Sequence, residues 1–193
     1  MPRPVALLTF AVVVVTAGSV ALELQTPSVA QSVSPLAPIA AARPAPAWKN
    51  GSWLNAEKPL TLDEIRGKVI LLNFWVYTCY NCTNSVPSLV NFHHQYRDRG
   101  LVVIGIHTPE FPPYSGEHDR ANVAQALAHY GIEYPNAQDN DSRTWNLYGI
   151  RFWPSFVLID KKGEIRYQGA GEFHLNDHTY QTWDSRIQEL LAE

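Results

Sequence analysis

Three short apolar runs constrain the fold of this chain more than any other feature of its sequence. They are VILLNFW at 69–75, LVVIGI at 101–106 and SFVLI at 155–159. Runs of this length that do not alternate with polar residues are typical of strands covered on both faces of a sheet. We therefore predict a central sheet with a packed layer on each face.

Helices are predicted between and after these strands. Four segments are predicted to be helical: 81–98, 122–130, 142–148 and a C-terminal stripe of Tyr180, Trp183, Ile187 and Leu190. Gly131 and Gly149 follow the second and third of these segments, where glycine commonly ends a helix. The spacing of Thr61 and Glu64 matches a capping box, so we also expect a short helix that begins there and ends at Gly67.

The order of these elements predicts a mixed α/β fold. A strand, a helix and a second strand in succession imply a parallel pair with a right-handed crossover. Residues 160–163 form a predicted turn, and EIRYQ at 164–168 returns as an antiparallel strand. We expect a mixed central β-sheet flanked by helices on both faces, with a helical insertion before the third apolar strand.

Residues 1–30 are predicted to be a signal peptide or a membrane anchor. An apolar run over 5–22 follows the positive charge of Arg3, which is the arrangement of a secretory signal peptide. The same run is long enough to cross a bilayer, so an uncleaved anchor is the alternative. Residues 31–47 are rich in Pro, Ala and Ser and predict an extended, disordered linker, which leaves 48–193 as the folded domain.

Composition excludes several classes of protein. The chain is 46% hydrophobic, which argues against a disordered protein, and its net charge of -3 argues against a nucleic-acid partner. Its two cysteines are too few for a disulfide-stapled small domain or, alone, for a zinc site with four thiolates.

Both cysteines lie in the motif Cys79-Tyr80-Asn81-Cys82, where the first apolar strand gives way to a helix. Two residues between cysteines in a first helical turn bring the sulfurs within bonding distance, and the unpaired amides of a helix N-terminus stabilise a thiolate. These features predict thiol–disulfide exchange, in which Cys79 attacks a disulfide and Cys82 then displaces the mixed disulfide.

A metal site is an alternative use of this motif. Zinc would need two further ligands, and His93 falls on the apolar stripe of its helix, which favours a packed histidine. His174 and His178 are four residues apart but fall in a predicted loop and helix start. We expect no metal and no cofactor. A structural disulfide is a further alternative, although closing so small a loop stabilises little.

Trp153-Pro154, just before the third apolar strand, is the second candidate element of the site. An ordinary proline is tolerated at the first residue of a strand, whereas a cis bond would make a tight entry next to the thiol. In the second case the backbone of Trp153 could bind an extended substrate peptide.

Three segments together resemble the thioredoxin-like redoxin family: LLNFWVYTCYNC, LVVIGIHTPEF and WPSFVLIDKKGEIRYQGAGE. Within that family they are similar to extracytoplasmic TlpA-type domains and to the domain attached to DipZ membrane proteins. The resemblance covers about residues 52–170 and implies a thioredoxin fold. It also implies that Cys79 is the nucleophile, Cys82 the resolving thiol and Pro154 a cis-proline beside the disulfide, with 108–134 as an inserted segment.

Two positions depart from the family pattern. Cytoplasmic thioredoxins carry a buried aspartate where this chain has Asn73, and TlpA-type domains of cytochrome c maturation often carry a glutamate where it has Ser85. Neither residue can accept a proton as a carboxylate does. Glu110, in the segment HTPEF, is a candidate for that role, and a solvated loop carboxylate is the alternative.

The resemblance implies an exported thiol–disulfide oxidoreductase, periplasmic or anchored in a membrane. We expect it to act as a reductant of protein disulfides or dithiols, supplied by a membrane electron-donor protein, in cytochrome c maturation or envelope disulfide reduction. One alternative is a peroxiredoxin-like peroxidase, although Cys79 lacks the Pro-x-x-x-Thr-x-x-Cys setting of that chemistry. Another is a metal or copper chaperone, although carriers on this fold use a C-x-x-x-C spacing.

Overall fold

A single mixed sheet organises the part of the chain that the computed structural model describes, which is residues 37–112 and 115–193. Within these residues the sheet has seven strands in the order β1-β7-β6-β3-β4-β5-β2. The strands are β1 Ala37–Pro44, β2 Ser52–Leu54, β3 Val69–Trp75, β4 Leu101–His107, β5 Asn136–Gln138, β6 Ser155–Ile159 and β7 Glu164–Ala170.

The three predicted apolar strands lie side by side at the centre of this sheet. β3 runs parallel to β4 from the pair Val69–Leu101 to the pair Trp75–His107, and it runs antiparallel to β6 on its other side. Every residue of β3 and of β6 is buried. This confirms the expectation of strands covered on both faces, and β7 completes the predicted hairpin with β6.

Helices cover both faces of the sheet, as predicted. The helices are α1 Tyr80–Tyr96, α2 Arg120–His129, α3 Arg143–Leu147 and α4 His178–Ala192. Helices α1, α2 and α4 pack with Leu71 and Trp75 on one face. Helix α3 and the chain before β3 pack on the other face, against Ile70 and Phe74. The predicted insertion is the segment that carries α2.

The expected disordered linker over 31–47 is replaced at Ala37–Pro44 by strand β1. This strand pairs antiparallel with β7 at the edge of the sheet, and its register changes between Pro38 and Arg43. Proline has no backbone N–H, but an edge strand is paired on one side alone and can accommodate it. A proline-rich composition that excludes a helix is therefore compatible with an edge strand.

The short helix predicted from Thr61 is also absent from the structure. Residues 62–67 form successive turns instead. The capping-box contacts do form, because the Thr61 N–H donates to Glu64 Oε2 at 3.1 Å and the Glu64 N–H donates to Thr61 Oγ1 at 3.3 Å. Gly67 follows with a φ of 85°, so the chain turns into β3 before a full helix can develop.

The signal peptide or anchor predicted over 1–30 lies outside the described residues. Among the helices of residues 37–112 and 115–193, none combines the length and the apolar character that crossing a membrane requires.

Candidate active site

The two cysteines lie at the junction between β3 and α1. Cys79 is the N-cap of α1, with extended backbone angles, and its Sγ accepts a hydrogen bond from the Cys82 N–H at 3.3 Å. Both cysteines are free thiols, Cys79 half-buried and Cys82 1% exposed. The Cys79 sulfur is therefore accessible to another molecule, whereas the Cys82 sulfur is accessible only to a group attached to Cys79.

The two thiols differ strongly in acidity. The pKa of Cys79 is lowered to about 7, first by a hydrogen bond from the Cys82 side chain and further by the backbone N–H groups of Cys82 and Asn81. Burial and the charge of Glu110 act in the opposite direction on Cys79. The pKa of Cys82 is raised, chiefly by burial and then by its hydrogen bond with Cys79. Near neutral pH the accessible thiol is therefore the one that ionises.

An open cleft of about 520 Å³ surrounds Cys79. Its lining comes from the start of α1, the loop after β4 and the segment before β6: Thr78, Cys79, Tyr80, Asn81, Glu110, Phe111, Arg151, Phe152 and Trp153. Three of these aromatic side chains are largely exposed, at 75% for Tyr80, 63% for Phe152 and 51% for Phe111. Exposed aromatic side chains clustered around a concave site are typical of surfaces that contact another protein.

Trp153 is held firmly in the wall of this cleft. Its indole Nε1–H donates to the carbonyl oxygen of Thr108 at 3.1 Å, and its ring stacks on Trp145 with centroids 4.1 Å apart. The buried Asp139 fixes both neighbours, because its Oδ2 accepts from the Trp145 N–H at 2.8 Å and from Thr108 Oγ1 at 3.3 Å. The indole face of Trp153 is thus a rigid part of the site.

Pro154 is buried behind this wall. The Trp153–Pro154 peptide bond is cis, which is the second of the two conformations considered from the sequence. The carbonyl oxygen of Pro154 accepts from the Gly171 N–H at 3.0 Å. Among the described residues, Pro154 is not one of those that line the cleft. The structure thus brings Cys79 and Trp153 together in the lining of one cleft, whereas Pro154 is buried and is not part of that lining.

The two departures from the family pattern have structural correlates. Asn73 is buried on β3, on the same face of the sheet as Leu71 and Trp75. Ser85 is fully buried, and its hydroxyl donates to the Asn81 carbonyl and accepts from the Phe173 N–H at 3.2 Å. At this position the Ser85 hydroxyl therefore joins α1 to the segment after β7.

The remaining candidates occupy different places. Glu110 is exposed and lies in the cleft with Cys79. His93 is half-buried, its ring 5.8 Å from that of Tyr134, and burial lowers its pKa. His174 contacts Glu172 at 2.7 Å. Within the described ranges, no group of three or more His, Cys, Asp and Glu side chains is arranged to hold a metal ion.

The sequence analysis did not single out two buried carboxylates that support the site, Glu117 and Asp139. Both are fully buried and lie between secondary-structure elements. An acidic residue in a predicted loop is normally assigned to solvent, and neither of these carries a motif. Each carboxylate also has a hydrogen-bond partner far along the chain, Thr78 for Glu117 and Thr108 for Asp139, and a sequence pattern does not reveal such pairs.

Comparisons with known proteins identify the family and the fold of this chain. Residues 41–168 match the model of the AhpC/TSA family. DipZ of Mycobacterium tuberculosis is 45% identical over 143 residues, which are 73% of this chain and 19% of the length of DipZ. Thiol-disulfide oxidoreductase YkuV of Bacillus subtilis is 26% identical over 143 residues, or 74% of this chain and 89% of YkuV.

A similar solved structure is the crystal structure of the thioredoxin-like superfamily protein SPOA0173. It superposes with a TM-score of 0.69 at 27% identity, and the match covers 78% of this chain and 97% of that one. The chain spans about a fifth of the length of DipZ, so the match with DipZ concerns one part of a longer protein. The chain has a thioredoxin-like fold and belongs to the AhpC/TSA family.

Proposed function

We propose that this protein is a thiol–disulfide oxidoreductase that exchanges the Cys79–Cys82 dithiol or disulfide with protein substrates. The observation that carries this proposal is the pairing of an accessible thiol whose pKa is lowered to about 7 with a buried thiol three residues later. The name of YkuV, a relative matched over 89% of its length, supports the same activity.

The chemistry follows from the different environments of the two sulfurs. In the reducing direction the Cys79 thiolate attacks a substrate disulfide, a new S–S bond forms, and the departing substrate thiolate takes a proton from water. Cys82 then loses its proton and attacks the Cys79 sulfur. This step releases the second substrate thiol and leaves Cys79 and Cys82 joined, so two electrons have passed to the substrate.

The walls of the cleft favour a polypeptide substrate. The exposed rings of Tyr80, Phe111 and Phe152 offer apolar contacts around Cys79, and Trp153 presents a fixed surface beside it. Such rings bury a large area at a small cost in side-chain entropy. Trp153 and Pro154 are therefore proposed to bind substrate, Trp153 by contact and Pro154 by shaping the backbone at the base of the cleft.

The direction of exchange and its cellular location are further parts of the proposal. We propose a reductant of exported proteins, in the periplasm or tethered to a membrane through residues 5–22, and recharged by a membrane electron-donor protein. The apolar run of the N-terminal 30 residues supports export. Equilibration with glutathione tests the direction, because a strongly oxidising couple would instead favour disulfide formation in substrates.

Trapping experiments test the activity itself. A Cys82→Ser variant cannot resolve the mixed disulfide, so it should accumulate a covalent complex with a disulfide-bearing protein that reducing agent releases. Cys79→Ser is the matched control and should trap nothing. Trapping by Cys79→Ser alone would reverse the two roles, and steady consumption of hydrogen peroxide by Cys82→Ser would favour the peroxidase alternative.

A further inference from the structure

Glu117 is a fully buried carboxylate close to the proposed active site. Its Oε1 accepts a hydrogen bond from the Thr78 hydroxyl, and its Oε2 accepts from the backbone N–H groups of Glu110 and Phe111, both at 2.8 Å. A buried carboxylate is tolerated when several donors compensate for its lost hydration. Three donors meet that requirement here.

The donors belong to two segments of the chain that both line the cleft. Thr78 directly precedes Cys79, the N-cap of α1, whereas Glu110 and Phe111 lie in the loop after β4. One carboxylate therefore joins the loop to the junction that carries the reactive thiol. Among the described residues, the Glu117 carboxylate is the one hydrogen-bond acceptor for the backbone N–H groups of Glu110 and Phe111.

We propose that Glu117 is a positioning residue that holds Glu110 and Phe111 over Cys79 and thereby sets the reactivity of its thiol. This inference rests on the proposed thiol–disulfide exchange. Glu117 itself does not line the cleft, so it acts through the residues that it holds. The negative charge of Glu110 faces the same space as the Cys79 sulfur and opposes its ionisation.

The charges around Cys79 are consistent with this role. The cleft presents Glu110 from the loop after β4, Arg151 from the segment before β6 and Tyr80 from α1, and the buried Cys82 contacts the Cys79 sulfur from within α1. Of the two charged groups, Glu110 is the one that raises the pKa of Cys79. Displacing its carboxylate should therefore leave more of the thiol ionised at a given pH.

The experiment measures alkylation of Cys79 by iodoacetamide in the reduced full chain, from pH 5 to 9, with mass spectrometry to locate the product. Glu110→Gln should accelerate alkylation at pH 6 by about twofold to fivefold, the scale of one solvent-exposed charge interaction. Glu117→Gln should accelerate it as well, because one amide oxygen cannot serve all three donors. The double variant should match Glu110→Gln alone.

Asp119→Asn is the matched control. Asp119 lies two residues from Glu117 and caps α2 by accepting from the Ala121 N–H, a role that asparagine retains. Its alkylation profile should equal that of the unaltered protein. If Glu117→Gln fails to fold, Thr78→Val removes the hydroxyl at the other end of the bridge and should act in the same direction.

Three results would overturn the inference: an unchanged profile in Glu117→Gln, effects of Glu110→Gln and Glu117→Gln that add, or an equal acceleration in Asp119→Asn. Alkylation requires no substrate protein, so it separates this inference from the proposed function. Failure of Cys82→Ser to trap a substrate would remove the proposed function and leave the alkylation result standing.

Discussion

A substitution at Gly105 tests the buried packing around Trp75, at the end of the strand that leads to the cysteine motif. Gly105 lies on β4, and a Cβ added there would stand 1.8 Å from Asn136 Oδ1 and 3.0 Å from Trp75 Nε1. Asn136 Oδ1 is the acceptor for the buried indole N–H of Trp75 at 2.9 Å, and Asn136 Nδ2 donates to the Tyr134 carbonyl. An alanine at position 105 must therefore displace the amide that satisfies Trp75.

The expected cost combines two effects. Forcing a methyl group into a filled core costs about 1–3 kcal/mol, and each buried polar group that loses its partner costs about 1–3 kcal/mol more. We therefore expect Gly105→Ala to lower the free energy of unfolding by about 2–5 kcal/mol, measured by urea denaturation of the reduced protein. Gly51→Ala is the control, because nothing lies within 4 Å of a Cβ at that position.

A double variant identifies the cause of this loss. In Asn136→Ala the obstructing amide is absent, so adding Gly105→Ala to that background should cost less than it costs in the unaltered protein. Equal stabilities of Gly105→Ala and Gly51→Ala would refute the reasoning, and so would strictly additive effects of Gly105→Ala and Asn136→Ala.

Two further predictions concern buried polar residues near the cleft. The pKa of His107 is lowered to about 3, chiefly by burial. The imidazole of this histidine takes up a proton near pH 6.5 in the unfolded chain. The free energy of unfolding should therefore fall as the pH is lowered from about 6.5 to 3, by up to about 1.4 kcal/mol per pH unit. In His107→Phe the free energy of unfolding should depend less steeply on pH. Asp139→Ala should cost at least about 3 kcal/mol, because it leaves the Thr144 and Trp145 N–H groups without a hydrogen-bond acceptor. Asp141→Ala removes an exposed ion pair with Arg143 and a long, exposed hydrogen bond from the Arg143 N–H, and it should cost under about 1 kcal/mol. Similar urea midpoints for the two variants would contradict this.

Local sequence patterns predicted the strands that are buried along their whole length. β3 and β6 are buried along their whole length, and an unbroken apolar run reports this directly. β5 was not predictable, because it is only three residues long and two of them, Asn136 and Gln138, are polar amides although all three are buried. The amides there are satisfied by partners far along the chain, such as Trp75 and Ser52, and no local pattern records such pairs.

In the candidate site, too, the local features were predictable from the sequence and the long-range contacts were not. The Cys79–Cys82 spacing and its place between a strand and a helix are local features, so the sequence alone was enough to propose both residues as candidates and to place them at this junction. The supports of the site are not local: Glu117 bonds to Thr78 across 39 positions, and Trp153 bonds to Thr108 across 45. The sequence did not predict edge strand β1, because prolines are tolerated in a strand that is paired on one side alone. Which strand lies at the edge is known only once the sheet has been assembled.

The central claim is that Cys79 is ionised near neutral pH while Cys82 is not, and the pH dependence of thiol alkylation tests it most directly. The rate of reaction of the reduced protein with iodoacetamide should rise with a midpoint near pH 7, and the product should lie on Cys79. A midpoint at or above about 8.5, the ordinary value for cysteine, or first modification at Cys82 would contradict the account.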